Sequence, residues 1–404
     1  MHKFSEIQAG WFSPVQMLEL DACTRCLECI DACPVIRAGF PDGAKNRIDG
    51  WRSIDSPSSR ILARIFKHAA SERKIPAVFS NLSRCTTCGA CSVVCESAID
   101  IPSLSESMRG ASREMGVTDA SVEKTAETIV RVRNPYDGAP ETRNTWIPED
   151  MPVADSARIG FFAGCTIAFR QPEVGRAALR ILAGSKTEFC MLGNRESCCG
   201  SFLFRTGSWK EYSETITMMI EDFQKQGVET LLISCAGCLK TITIDWPRVY
   251  GRPLPFKTMS FAVFIRDLIR DQKIRFSSPL PCRVVYHDPC HGGRHLIRYL
   301  GRDRVFEAPR EVLLSIPGLE LVEFPENREF QICCGAGGGV KAGDPGLAGT
   351  IAQEKLDRIR RLDADIVAST CPFCRRNLED ARLAAGLPVE VIDVIELVDR
   401  MMDR

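Results

Sequence analysis

The sequence predicts an α/β protein: a helical, cysteine-rich N-terminal module followed by two copies of one α/β domain. Three observations carry that expectation. A five-cysteine pattern occurs twice, first as Cys165, the pair Cys198–Cys199, and Cys235 with Cys238, then as Cys290, the pair Cys333–Cys334, and Cys371 with Cys374. The spacings are close, with 32 then 35 intervening residues in the first copy and 42 then 36 in the second. Two more runs of four cysteines lie near the N-terminus, so 18 of the 20 cysteines fall into four clusters. From Ala157 onward, short apolar runs alternate with helical patterns, as parallel strands buried on both faces require.

Size and charge bound the rest. A chain of 404 residues suits two or three domains, and 45% hydrophobic with 26% charged residues is a globular composition. The formal net charge is zero, which gives no general attraction to nucleic acid or anionic lipid. Met1-His2-Lys3-Phe4-Ser5 does not open a signal peptide, and no run reaches the roughly 18 apolar residues that span a bilayer. If the protein works at a membrane, another subunit must hold it there. A disulfide scaffold would need an oxidising compartment, whereas tight CxxC spacings in a large chain indicate reduced, metal-binding thiolates.

The N-terminal module, expected over residues 1–133, carries the most specific motif. Cys23-Thr-Arg-Cys26-Leu-Glu-Cys29-Ile-Asp-Ala-Cys33-Pro34 has the CxxCxxCxxxCP form of a bacterial two-cluster ferredoxin, and Cys85, Cys88, Cys91 and Cys95 form a second run. In this motif the fourth cysteine of each run reaches the other cluster. Cys23, Cys26, Cys29 and Cys95 are then expected on one [4Fe-4S] cubane, and Cys85, Cys88, Cys91 and Cys33 on the other. Zinc sites also use four thiolates, but usually as two CxxC units across a spacer. The second run ends Cys95-Glu96 without the usual proline; Pro102 is the nearest substitute. Apolar spacing predicts a helix over Ser58–Glu72 and mostly helix over Ser103–Val132, with Asp119 or Ser121 as caps. Four prolines between Asn134 and Asp155 predict an extended linker over 134–156.

The two α/β domains are expected at 157–274 and 275–404. Strands are read at Arg158–Ala163, Val228–Ile233, Arg283–Tyr286 and Ala364–Ala368, each ending just before a cysteine of the repeat. Ser260 and Asp393 are expected to cap corresponding helices in the two copies. At the carboxyl ends of parallel strands ligands gather, and helix N-terminal amides offset thiolate charge there. Gly335-Ala-Gly-Gly-Gly339 lacks the register of a dinucleotide-binding GxGxxG, and its glycines are read as permitting close backbone approach. Cys190, in an apolar run, is read as core, and Cys282 as part of a proline-flanked connection.

Together these motifs resemble the heterodisulfide reductase D-subunit-like family, a ferredoxin module fused to two cysteine-rich CCG domains, over nearly the whole chain. The resemblance implies Rossmann-like CCG domains. It implies one or two non-cubane [4Fe-4S] clusters, on Cys165, Cys198, Cys199, Cys235 and Cys238 and on Cys290, Cys333, Cys334, Cys371 and Cys374. It also implies disulfide reduction, with electrons arriving through the cubanes from a membrane cytochrome b or quinol-linked subunit. The disulfide would be a small heterodisulfide or one borne by a sulfur-carrier protein, or a protein-borne trisulfide. His291 is the expected proton donor, with His287 and Lys240 ranked behind it. The layout also fits an electron-transfer subunit of a flavin-dependent glycolate, lactate or glycerol-3-phosphate dehydrogenase.

Overall fold

The computed structural model describes residues 12–24, 26–39, 82–114 and 116–403. The helix expected over Ser58–Glu72 lies outside them. The chain divides into two compact units: Met1–Thr125, Phe202–Trp209 and Ile332–Glu354 form the first, and Ala126–Ser201, Lys210–Gln331 and Lys355–Arg404 the second.

The second unit holds two parallel sheets. One has the order β1 (Ile159–Phe162), β2 (Thr230–Ile233), β3 (Lys257–Ser260). The other contains β4 (Cys282–His287), β5 (Leu319–Val322), β6 (Ile366–Ser369) and β7 (Glu390–Asp393), in the order β5-β4-β6-β7. Register makes the duplication explicit. Phe162 pairs with Ile233 and Ile233 with Ser260; His287 pairs with Ser369 and Ser369 with Asp393. Ser260 and Asp393 then cap the next helix as expected, Ser260 by accepting from the Val263 amide and Asp393 through a capping box with Glu396. The sequence reading covers β1, β2, β4 and β6; β3 and β7, which lead into the capped helices, and the outer strand β5 are additional. In the first copy the place of β5 is held by Cys190 alone, which donates to the Ile159 carbonyl and accepts from the Phe161 amide and is fully buried. Cys282, expected in a connection, instead begins β4 and is half-buried.

One apolar core serves both copies, from Phe161, Ile181 and Ile265 to Val284, Val312 and Val398. The copies exchange helices symmetrically. Pro172–Gly184 of the first packs on Val394–Met401 of the second, and Phe261–Arg270 of the first on Ala308–Leu314 of the second. The pairs Arg180–Asp399 at 2.6 Å and Arg270–Glu311 at 2.5 Å sit on these two contacts. The segment expected as an extended linker is part of this unit. Its prolines exclude an α-helix, but Pro140 opens a 3-10 turn over Pro140–Asn144, Trp146 is buried, and the Ala154 amide donates to Phe189. Gly175 lets Trp146 in: a Cβ there would stand 2.5 Å from the indole.

In the first unit the helical stretch expected from Ser103 is broken in two. Ile101–Glu114 ends at Gly116, whose φ of 73° closes the turn, and Asp119 restarts the chain by accepting from the amides of Ser121 and Val122. The glycine-rich loop behaves as its composition suggests. A Cβ on Gly337 would lie 2.6 Å from the Thr86 carbonyl, and one on Gly338 would strike the Cys85 carbonyl. The loop is thus closed over the Cys85–Thr86 backbone, which leaves no room for a phosphate against those two glycines.

Candidate functional site

Each strand–cysteine junction delivers a thiol to the carboxyl end of a sheet. Cys165 lies in the helix after β1, Cys235 caps the helix Ala236–Lys240 after β2, Cys290 follows β4, and Cys371 caps Pro372–Ala385 after β6. All are buried. Five thiols of the first copy form a continuous run. Cys165 and Cys198 stand 3.8 Å apart, Cys198 bonds Cys199, Cys199 bonds Cys238, and Cys238 bonds Cys235. The run does not stop there. Cys235 Sγ lies 3.9 Å from Cys371 Sγ of the second copy, and Cys371 bonds Cys374. A small cavity of about 30 Å³ opens beside Cys235, between Ala236 and Leu239 of one copy and Pro289, Gly292 and Thr370 of the other.

Charge is distributed unevenly along this run. Hydrogen bonds from Cys198 and Cys238 pull the Cys199 thiol down to about 6. Those from Cys235 and Cys374 pull Cys371 well down. Cys165 is held up, first by its bond with Cys198 and then by burial, with Arg143 opposing. One thiol is thus pulled down in each copy, Cys199 in the first and Cys371 in the second.

The surroundings are arranged around the backbone of these cysteines. Buried Glu196 accepts from the amides of Ala163 and Gly164 at 3.1 and 2.9 Å and pairs with buried Arg143. Tyr212 donates to the Cys198 carbonyl at 3.0 Å and Trp246 to the Cys199 carbonyl at 2.9 Å. The Tyr136 hydroxyl is 3.0 Å from Thr166, the residue after Cys165, and the guanidiniums of Arg170 and Arg376 lie on its ring at 4.8 and 5.2 Å. Neither arginine has a carboxylate partner among the described residues. Sequence reasoning missed this whole shell. Only Glu196 left a trace, two residues before the Cys198–Cys199 pair, where Gln331 stands before Cys333–Cys334. Replacing Glu196 with Gln should lower stability by about 1–3 kcal/mol, because it strips a buried guanidinium of its counter-charge while keeping one acceptor. Chemical denaturation of the anaerobic protein measures it.

His291 is buried, its ring packs edge-on against half-buried His295 with centroids 4.8 Å apart, and its Nδ1 approaches Gly237 of the first copy's CxxC turn. Lys240 is buried on the helix that carries Cys238. Asp288 fixes the same segment through two 2.8 Å bonds with Arg310. Of the second five-cysteine set, Cys290, Cys371 and Cys374 lie in the second unit, while Cys333 and Cys334 belong to the first. Cys333 Sγ accepts from the Gly335 amide at 3.3 Å.

The first unit gathers the N-terminal cysteines in crossed sets. Burial raises Cys29 to about 11, and the neighbours that add to this are Cys23, Cys26 and Cys95. Burial likewise raises Cys91, with Cys88, Cys85, Cys33 and Cys29 contributing after it. Each run thus has the other run's last cysteine for a neighbour. A donor set made of clustered thiols alone fits iron–sulfur centres and not a hard cation such as magnesium, which takes oxygen ligands.

Comparison with known proteins agrees. The sequence model of the cysteine-rich domain matches residues 159–243 and 284–379, and that of the 4Fe-4S dicluster domain matches residues 19–99. The D-subunit of dihydromethanophenazine:CoB–CoM heterodisulfide reductase from Methanosarcina barkeri is 39% identical over 95% of this chain and 94% of its own. The chain belongs to the heterodisulfide reductase D-subunit-like family. The B-subunit of fumarate reductase (CoM/CoB) from Methanothermobacter marburgensis is 32% identical over 94% of this chain and 72% of that protein. The EtfAB:quinone oxidoreductase of Syntrophomonas wolfei is 26% identical over 98% of this chain and 59% of its length. The protein is accordingly an iron–sulfur redox subunit of an oxidoreductase that works with partner subunits. Among the described residues no helix is long and apolar enough to cross a membrane.

Proposed function

We propose that this chain is the disulfide-reducing subunit of a respiratory complex of the heterodisulfide reductase type. The observation that supports it most is the run of thiols that joins the two copies through Cys235 and Cys371, 3.9 Å apart, beside a cavity. Two cysteine-rich sites that meet beside a cavity suit a substrate taken up between them, a feature that a simple relay does not need. In this reading the ferredoxin module spans 1–133 and the cysteine-rich domains 157–274 and 275–404. Cys23, Cys26, Cys29 and Cys95 hold one cubane, and Cys85, Cys88, Cys91 and Cys33 the other. Cys165, Cys198, Cys199, Cys235 and Cys238 hold one non-cubane cluster, and Cys290, Cys333, Cys334, Cys371 and Cys374 the second. When bound, these centres supply electrons one at a time and iron that stabilises thiolate sulfur.

The reaction takes one disulfide, two electrons and two protons to two thiols: the S–S bond breaks and each sulfur gains an electron and a proton. The chain's own residues would supply the rest. His291 holds a proton beside Gly237, and His295, less buried, connects it outward. Arg170 and Arg376 place cationic charge around Tyr136, which favours a disulfide bearing anionic groups. Cys199 and the strand-end amides held by Glu196 keep the thiolate side of the site in place. Electrons would enter from a membrane cytochrome b or quinol-linked subunit, which would also hold the chain at the inner face of the membrane.

The test is an anaerobic assay with reduced benzyl viologen and a series of disulfides. Two thiols formed per two viologens oxidised, with anionic disulfides turned over fastest, is the expected result. No turnover of any disulfide, together with a co-purifying flavoprotein that oxidises a hydroxy acid, would favour the relay role instead. His291→Ala should retain iron and lower turnover by about 100-fold, the lower bound of general acid catalysis.

A further inference from the structure

We infer that His287 supplies a sixth, nitrogen donor to the iron–sulfur centre of the second copy, so that the two centres are chemically unlike. This rests on the proposed cluster at Cys290, Cys333, Cys334, Cys371 and Cys374. His287 ends β4 and is fully buried, and neither ring nitrogen has a hydrogen-bond partner among the described residues. Its nearer ring nitrogen lies within 4.8 Å of Cys374 Sγ. A buried imidazole with both nitrogens unsatisfied carries the desolvation cost of each, so the site calls for a partner that the protein itself does not provide.

The backbone and both neighbours are fixed, so the ring is held where it is. Tyr286 bonds Thr370 at 2.9 Å, Asp288 is locked by Arg310 and by the Arg328 amide at 2.9 Å, and Ser369 donates to the His287 carbonyl at 3.3 Å. A soft thiol set with one added imidazole is a workable iron site, and because the ring replaces no thiolate it adds electron donation to the iron.

Register supplies the comparison. Phe162 of β1 occupies the position that His287 occupies in β4, since Phe162 pairs with Ile233 as His287 pairs with Ser369. Phe162 is also fully buried and packs edge-on against Trp246, with ring centroids 6.0 Å apart. The fold therefore accepts an aromatic hydrocarbon at this strand end. Packing alone does not demand an imidazole in the second copy.

The test uses the intact, anaerobically purified protein with histidine labelled in the heavy nitrogen isotope. Pulsed EPR of the paramagnetic centres should show one strong histidine nitrogen coupling that shifts with the label. In His287→Phe, which copies the first repeat, that coupling should vanish while the iron content stays unchanged. With one donor fewer and every thiolate kept, the reduction equilibrium of that centre should shift about tenfold toward the reduced form, or about 59 mV for one electron. Iron at the second centre without a histidine coupling, or a coupling that survives His287→Phe, would overturn the inference and leave the disulfide reading standing. A second set that binds no iron would instead overturn the cluster assignment on which both rest.

Discussion

Alanine at Cys235 is expected to abolish disulfide reduction and remove about four of roughly sixteen irons per chain, with the ferredoxin signals intact. The effect should be larger than a single lost ligand suggests. Cys235 is the last thiol of the first copy's run and the one that meets Cys371 of the second. Its removal takes away a ligand, leaves Cys238 without one of its neighbours, and takes from Cys371 one of the two bonds that favour its thiolate. Cys190→Ala is the control. Cys190 is as deeply buried but stands outside the run at the sheet edge, so its loss should cost about 1 kcal/mol and no iron. Iron analysis, EPR and the viologen assay on the two variants separate ligation from packing. Equal loss of iron in both would show that the first copy simply unfolds when any buried thiol is removed.

Four strands, β1, β2, β4 and β6, were legible because each is a continuous apolar run leading to a cysteine, and parallel strands buried on both faces have that look; β3 and β7, short and ending at the capping residues Ser260 and Asp393, were read only as the approach to a helix. Leu319–Val322 was not legible, because an outer strand is only half-buried and its apolar residues alternate with Glu320 and the surface. The caps at Ser260 and Asp393 were legible from local chemistry alone. The segment around Trp146 was misread for the opposite reason: prolines describe what a backbone cannot do, and the burial of a tryptophan depends on Gly175, distant in sequence. Motif spacing predicts that each N-terminal run lends its last cysteine to the other, and Cys95 is a neighbour of Cys29 as Cys33 is of Cys91. The shell of Arg143, Glu196, Tyr136 and Tyr212 follows from no spacing, since each is single, without a pattern, and acquires meaning only from its bond to a cysteine backbone or its neighbour.

The same limit applies to the division into units. Phe202–Trp209 and Ile332–Glu354, which follow or contain the two paired-cysteine sites, belong with the ferredoxin cysteines and not with the sheets. Nothing local announces this. Gly207 and Gly338 are the only hints, and their purpose appears when their neighbours are known: a Cβ on Gly207 would come within 2.5 Å of the Gly110 backbone. The backbone leaving the second cysteine pair is closed over the backbone at Cys85, so within one unit a loop of the ferredoxin module and a loop of the cysteine-rich repeat share a boundary.

Arg109 holds that boundary, and Arg109→Met should destabilise the first unit by about 3–5 kcal/mol. The side chain is 3% exposed on the helix Ile101–Glu114. Its guanidinium donates to the carbonyls of Leu82, Ser83 at 3.2 Å and Cys85 at 2.7 Å on the ferredoxin side. It also donates to Arg205 and Gly338, each at 2.8 Å, on the two segments that follow the cysteine pairs. Methionine fills the same channel but donates nothing, so five carbonyls lose a charged donor at once. Lysine restores the charge without the planar fork, which reaches several carbonyls in fixed directions, and should recover less than half of the loss. Arg131→Met, at an exposed pair with Asp137, should change stability by no more than about 0.5 kcal/mol. Anaerobic denaturation followed through the iron–sulfur absorbance reports the energy. Redox titration of the same variants reports the second consequence: with a cation removed from beside the Cys85 loop, the cubane on Cys85, Cys88, Cys91 and Cys33 should become harder to reduce, and lysine should restore the potential better than it restores the stability. If lysine recovers both in the same proportion, Arg109 is a structural clamp alone and its charge does not reach the centre.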